Sequence, residues 1–229
     1  MKRTAGWICV LVIILFILLM ETPLFDQFPA MLSLREKITA LIPTEADPEP
    51  VPEPLISKQG EITHFTGQNF QDLPQLTLFK VATVYVIDGD TIIFNLNGHE
   101  VRSRLLGIDT PESKIPDQEV QPFALEATAF VEKFLASSSD VYLALETGPP
   151  LDKYERLLVY VFNQEKVLLQ SELLRQGFAR SLDYWQQPLI YRDFFQELEA
   201  TAKKTELNIW GLPDFVTDEG FNPIQTKKR

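Results

Sequence analysis

Three short apolar runs, Phe79 to Val86, Thr91 to Leu96 and Val101 to Ile108, follow one another with only turn residues between them. The first two are rich in β-branched and aromatic residues, and the gaps carry Asp88-Gly89 and Asn97-Gly98, pairs suited to tight reversals because Asp, Asn and Gly tolerate positive φ. Segments this short and this closely joined have no room for crossover helices, so they must pair as an antiparallel meander. Two more strands are expected at Val141 to Leu145 and Leu157 to Phe162. Between and after them lie helical patterns: Phe123, Ala127, Phe130, Val131, Phe134 and Leu135, then a short helix from about Val167 to Gln176 capped by Gly177, then Tyr191, Phe195, Leu198 and Ala202 on one stripe. The expected fold class is α+β, mainly β: the elements suggest a five-stranded barrel of the OB type with three helices, and their order allows other α+β folds too.

The chain is 229 residues long, enough for one domain of ordinary size and its attachments. Lys2 and Arg3 precede an unbroken apolar run from Ala5 to Met20, closed by Glu21. Its length lies between a signal-peptide core and a spanning helix. With no small residue placed for cleavage (Phe28 stands where one is wanted before Ala30) the expectation is an uncleaved signal anchor over residues 1–21, N-terminus cytoplasmic, the rest on the extracytoplasmic face, or secreted if the segment is removed. Residues 22–75 read as a linker, with Pro43, Pro48, Pro50, Pro52 and Pro54 interleaved with Glu45, Asp47, Glu49 and Glu53 in a stiff, self-repelling spacer at 43–54. The domain itself is expected over 76–212, with 61–77 ambiguous and a frayed tail at 213–229.

Net charge is −11, which excludes proteins that coat nucleic acid with excess Lys and Arg and leaves only local contacts with phosphate. With one cysteine, Cys9, and two histidines, His64 and His99, no disulfide framework or Cys/His zinc cage is available, so any metal must be held by oxygen.

The chemically suggestive residues cluster at strand ends. Asp88-Gly89-Asp90-Thr91 alone reads equally as a turn. Asp109-Thr110-Pro111-Glu112 sets two carboxylates about a proline that stops a ladder, either an acidic capped loop or part of a site. Arg104 sits among Leu105, Leu106 and Ile108, and an arginine there needs an anionic partner, either an aspartate or a bound phosphate. Asp152-Lys153-Tyr154-Glu155-Arg156 offers a second arginine.

Taken in order, these stretches resemble the staphylococcal nuclease (thermonuclease) family. The shared pattern runs through Asp88-Gly89-Asp90-Thr91, Arg104-Leu105-Leu106-Gly107-Ile108-Asp109-Thr110-Pro111-Glu112, Asp152 to Arg156, Leu174-Arg175-Gln176-Gly177 and Leu207-Asn208-Ile209-Trp210, over about 130 residues. The resemblance implies an OB barrel with three helices and a calcium-dependent phosphodiesterase acting on DNA and RNA to leave 3′-phosphate ends. It implies Asp90, Asp109 and the Thr110 carbonyl as ligands of Ca2+, Glu112 as general base, Arg104 and Arg156 as phosphate-binding arginines, and Lys153 and Tyr154 beside the substrate. Tyr184, with Trp185, keeps aromatic character suited either to stacking a base or to a core or rim position. No protein partner is implied, and a monomer is expected.

This chain departs from that pattern in charge. Residues 78–215 hold 13 Lys and Arg against 21 Asp and Glu, a net of −8, where the best-known members of the family are basic. Asp117 and Glu119 stand where such a relative carries lysines, and Glu155 replaces a glycine beside Arg156. The competing reading is therefore a catalytically weak or inactive OB-fold module, tethered to the membrane, that binds nucleic acid or protein.

Overall fold

The computed structural model describes residues 55–113, 119–182 and 189–222. The apolar run at 5–20, the Pro/Glu-rich spacer, Asp117, Tyr184, Trp185 and the basic end of the tail lie outside them. Among the described residues no helix is long and apolar enough to cross a membrane.

The strands are β1 (Phe79–Val86), β2 (Thr91–Leu96), β3 (His99–Leu105), β4 (Ile108–Asp109), β5 (Val141–Ala144), β6 (Leu157–Phe162), β7 (Arg180–Ser181), β8 (Val216–Thr217) and β9 (Gly220–Phe221), and the helices are α1 (Ala124–Ala136), α2 (Leu169–Arg175) and α3 (Arg192–Lys204). Five strands close a barrel in the order β1-β2-β3-β6-β5, with β5 returning to β1 through Phe79↔Leu143 and Val81↔Val141. All pairings in it are antiparallel except β3 with β6, where Arg104 faces Leu158 in parallel register. This is the OB arrangement that the element order implied.

The local chemistry explains each element. Asn97 and Gly98 both take positive φ, 50° and 89°, which matches a type I′ reversal to the twist of β2 and β3. Strand β6, Leu157-Leu-Val-Tyr-Val-Phe, is buried along its whole length because α2 and α3 cover the barrel on its side, the usual reason for an apolar run without alternation. Leu169, Leu173 and Leu174 of α2 and Phe195 of α3 supply the facing surface. Within it the Tyr160 hydroxyl donates to Glu146 (2.9 Å), whose carboxylate also accepts from the Ile190 N–H (2.8 Å). Burial, with the Glu146 charge beside it, pushes the Tyr160 hydroxyl far above its ordinary value, so it remains a donor at any working pH.

Three expectations are revised. The third strand does not run on to Ile108: it stops at Leu105, the chain turns through Leu106 and Gly107, and Ile108–Asp109 forms a separate ladder with Arg180–Ser181. The break takes Asp109 out of the barrel ladder and pairs it with Arg180. Residues assigned by composition to the linker are packed structure: Ile56, Phe65 and Leu73 are 2–5% exposed, Gly60 and Leu78 exchange backbone hydrogen bonds with their neighbours in a strap along β1, and the Ile56 N–H reaches the Tyr191 hydroxyl. Residues 215–222, expected to fray, form the β8–β9 hairpin over a buried Phe215.

Burying three large apolar side chains contributes about 1.5–3 kcal/mol each, together comparable with the whole stability of a small domain. A chain beginning at residue 55 should therefore melt as cooperatively as the full-length protein, and one beginning at residue 78 should have lost at least about 10 °C of Tm or fail to fold. Thermal unfolding followed by circular dichroism distinguishes the two.

Candidate active site

Arg104 is the centre of the site. It lies on β3, 5% exposed, and its guanidinium forms ion pairs with Asp90 at the start of β2 and with Asp109 on β4 (Nη2 to Oδ1, 2.7 Å). The sequence left its partner open between aspartate and phosphate. The aspartates are present, and Arg104 Nε is buried with no hydrogen-bond partner.

Asp90 is held on all sides. Its Oδ2 accepts from the Thr110 N–H and hydroxyl, both at 3.0 Å, its Oδ1 accepts from the Thr91 hydroxyl at 3.1 Å, and its backbone carbonyl accepts from the Leu105 N–H. The Asp-Gly-Asp turn approaches Thr110 closely because Gly89 has no side chain: a Cβ there would lie 2.7 Å from Thr110 Oγ1 and 2.9 Å from Ala127 Cβ. Gly89 is not among the positive-φ glycines, so this glycine is required for space, and the expectation based on turn dihedrals is corrected.

Asp109 accepts from a second arginine that sequence reading missed. Arg180 of β7 donates from Nε to Asp109 Oδ2 (3.0 Å) and from Nη1 to the carbonyls of Thr217 and Asp218 (3.1 Å each). It follows α2 and Gly177 on a two-residue strand too short to show a period, and the only signal in the sequence was an arginine next to the apolar Phe178-Ala179.

Glu112 lies just beyond this cluster. Gln121 clamps its backbone, accepting the Glu112 N–H at its Oε1 (2.7 Å) and donating its own N–H to the Glu112 carbonyl (3.1 Å). Burial raises the Glu112 carboxyl above its ordinary value, as do the charges of Asp88 and Asp109, while Arg104 and Arg156 pull it down. Burial likewise raises Asp88, which is 5% exposed and accepts from the Asp90 N–H.

Arg156 joins the site from the start of β6. Asp152 holds it through Nε (2.7 Å) and its backbone N–H (2.9 Å), and Nη1 comes within 3.5 Å of the Thr91 hydroxyl. Tyr154 is 65% exposed, with Lys153 Nζ 4.9 Å and the Arg156 guanidinium 5.3 Å from its ring centre. Glu155 takes φ 60°, the left-handed region, which accounts physically for a glycine at this position in the family pattern.

Of the residues singled out in the sequence, then, Asp90, Arg104, Asp109 and Thr110 form one hydrogen-bonded cluster, and Arg156 reaches it through Thr91. Glu112 stands within electrostatic reach of both arginines, and Lys153 and Tyr154 share one cleft with Arg104, Asp109 and Arg156. The cleft has a volume of about 1410 Å³. Tyr184 lies outside the described residues.

The donor set suits a hard cation. Two carboxylates converge on one guanidinium, so they are already placed to share a positive charge, and every candidate ligand is oxygen. No cluster of three acidic, His or Cys side chains that would hold a metal exists among the described residues, and the carboxylates that could face a cation together are those of Asp90 and Asp109.

The model of the family described as staphylococcal nuclease homologue matches residues 102–211. Endonuclease YncB of Bacillus subtilis is 38% identical over 148 residues, 65% of this chain and 69% of its own length. The SPbeta prophage-derived endonuclease YokF of the same organism is 38% identical over 151 residues, 66% of this chain and half of its own length. A thermonuclease of Staphylococcus intermedius is 38% identical over 125 residues, 55% of this chain and 72% of its own.

Two outcomes test the geometry. Glu155→Gly should stabilise the domain by up to about 1 kcal/mol in urea unfolding, since a non-glycine residue in the left-handed region costs about 1–2 kcal/mol and glycine returns part of that in chain entropy. The second concerns Asp152. Burial works to raise its carboxyl, but the Arg156 N–H, the Arg156 guanidinium and the Tyr154 N–H outweigh it, and the net shift is downward. A carboxylate lowered by folding stabilises the protein above its unfolded value, near pH 4, and loses that contribution as pH falls through the folded value. Asp152→Asn should therefore cost about 1–2 kcal/mol at pH 7 and progressively less below pH about 4, read from urea midpoints across that range.

Proposed function

The chain belongs to the staphylococcal nuclease family, and on that premise we propose that it is a calcium-dependent phosphodiesterase that hydrolyses DNA and RNA to 3′-phosphate and 5′-hydroxyl ends. The observation that carries this reading is the Asp90–Arg104–Asp109 cluster, with Arg104, Asp109 and Arg156 lining one cleft and Glu112 within electrostatic reach of both arginines: carboxylates suited to a cation, guanidiniums suited to phosphate and a further carboxylate suited to act as a base.

Each group has a definite part. Asp90 and Asp109, with the Thr110 carbonyl, would hold Ca2+, which when bound supplies positive charge against the phosphodiester and the leaving oxygen. Glu112 takes the proton of the water that attacks phosphorus, and the environment that raises its affinity for protons makes it the stronger base. Arg104 and Arg156, both lining the cleft, donate hydrogen bonds to the non-bridging oxygens, whose charge grows as the new P–O bond forms. The bond from phosphorus to O5′ breaks, and the departing oxygen takes a proton from solvent. Lys153 and Tyr154 line the cleft where they meet the substrate's phosphate and base.

The reading extends to location and state: a monomer anchored through residues 1–21 with the domain extracytoplasmic, supported by the Lys2-Arg3 flank and the apolar run. The acidic balance is what favours the competing binding-module reading.

Cleavage of single-stranded DNA, double-stranded DNA and RNA by the full chain with calcium, with magnesium and with EDTA decides between them. The nuclease reading requires calcium-dependent cleavage that EDTA abolishes and that Glu112→Gln lowers by at least about 100-fold with the fold intact. A folded protein that leaves every substrate unchanged supports the binding module.

A further inference from the structure

The hairpin from Phe215 to Asn222 lies beyond the residues matched by the family model, yet it forms part of the cleft: Val216, Thr217, Asp218 and Glu219 line it together with Arg104, Arg156 and Lys153. It is built structure. Phe215 is buried and packs on Phe221 with ring centres 5.3 Å apart, the Asn222 N–H closes on the Phe215 carbonyl at 2.8 Å, and the Asn222 side chain donates to the Asp214 carbonyl. Arg180 then ties the carbonyls of Thr217 and Asp218 to Asp109, so the hairpin tip is fixed relative to the reacting centre by a single guanidinium.

Charge in this cleft is compensated group by group, with few exceptions. Arg104 and Arg180 pair with Asp109, Arg156 with Asp152, and Lys203 with Glu199. Asp218 and Glu219 have no ion-pair partner among the described residues, and neither has Lys153. The cleft thus carries one unbalanced cation beside Arg156 and Tyr154 and two unbalanced carboxylates on the hairpin. A polyanion with one backbone can follow the cationic part. A duplex brings a second phosphate backbone along the same cleft, and the two exposed carboxylates, carried on a hairpin whose backbone Arg180 holds, repel it at a range set by the Debye length, about 8 Å at physiological salt.

We propose that the Phe215–Asn222 hairpin is a substrate-selecting wall, whose Asp218 and Glu219 admit a single-stranded nucleic acid and reject the second strand of a duplex. The proposal rests on the nuclease reading for its cleavage arm only. Arg180 acts as the positioning residue, holding the wall at a set distance from Asp109.

The test compares the full chain with the Asp218→Asn/Glu219→Gln double variant, whose side chains keep their shape. Binding of a labelled single-stranded oligonucleotide and of its duplex is measured by fluorescence anisotropy in EDTA, at about 0.15 M and 1 M salt, and cleavage of both is measured with calcium. The expected result is at least about tenfold tighter binding of the single strand by the unaltered protein. The variant should lose most of that preference by gaining duplex affinity, and the preference of the unaltered protein should fade at 1 M salt, where the Debye length is about 3 Å. Equal binding of both ligands by the unaltered protein overturns the proposal. So does a variant that gains equally on both, which would mark the carboxylates as general repulsion, and so does a lack of binding to either. If the binding preference and its loss are seen but neither protein cleaves with calcium, the wall stands and the nuclease reading fails.

Discussion

One guanidinium holds together parts of the chain that no backbone ladder joins. Arg104 sits in the parallel seam between β3 and β6, yet its charge spans Asp90 at the mouth of β2 and Asp109 on the separate β4–β7 ladder. Removing one partner of a buried pair leaves an uncompensated charge and costs about 3–5 kcal/mol, so this contact ranks with the apolar core in fixing the domain. It also couples stability to the proposed chemistry, because the carboxylates that Arg104 pairs with are the ones proposed to hold a cation. The same economy recurs at Arg180, which divides its donors between Asp109 and two hairpin carbonyls.

Much of this was legible in the sequence. The three closely joined segments of β1 to β3, with Asn97-Gly98 between the last two, admit only an antiparallel meander, and closure into a barrel removes the edges and open apolar face that an isolated sheet of this size would leave. The candidate residues were legible too, since an arginine amid leucines and two carboxylates about a proline are costly unless paired. What escaped had weak or misleading local signals. Ile56, Phe65 and Leu73 are scattered among polar residues, so burial there depends on a tertiary strap rather than on a period. Arg180 and Gln121 act through contacts 71 and nine residues away in sequence, which no pattern reports. Gly89 was noticed for the wrong reason: it gives room rather than a dihedral.

The net −8 of residues 78–215 does not include the hairpin's Asp218 and Glu219, which add to it. Within the cleft most carboxylates are spoken for by arginine or lysine, and the negative charge left over is concentrated on the hairpin, outside the part of the chain matched by the family model. A net charge of −8 over the domain is therefore compatible with a local phosphate site, since screening confines the distant charges to weak effects while the paired arginines act at contact range.

The closing of the barrel between β1 and β5, with β6 inserted beside β3, makes the native state a late event along the chain. The first three strands can pair locally, but the core they face is complete only when segments more than 50 residues downstream arrive, and the strap at 55–78 then locks against α3 through Ile56 and Tyr191. Topologies governed by such distant pairings fold slowly and leave few stable fragments. For this chain it follows that the site, whose Asp90, Arg104 and Arg156 stand at β2, β3 and β6, is assembled only once β6 has paired with β3.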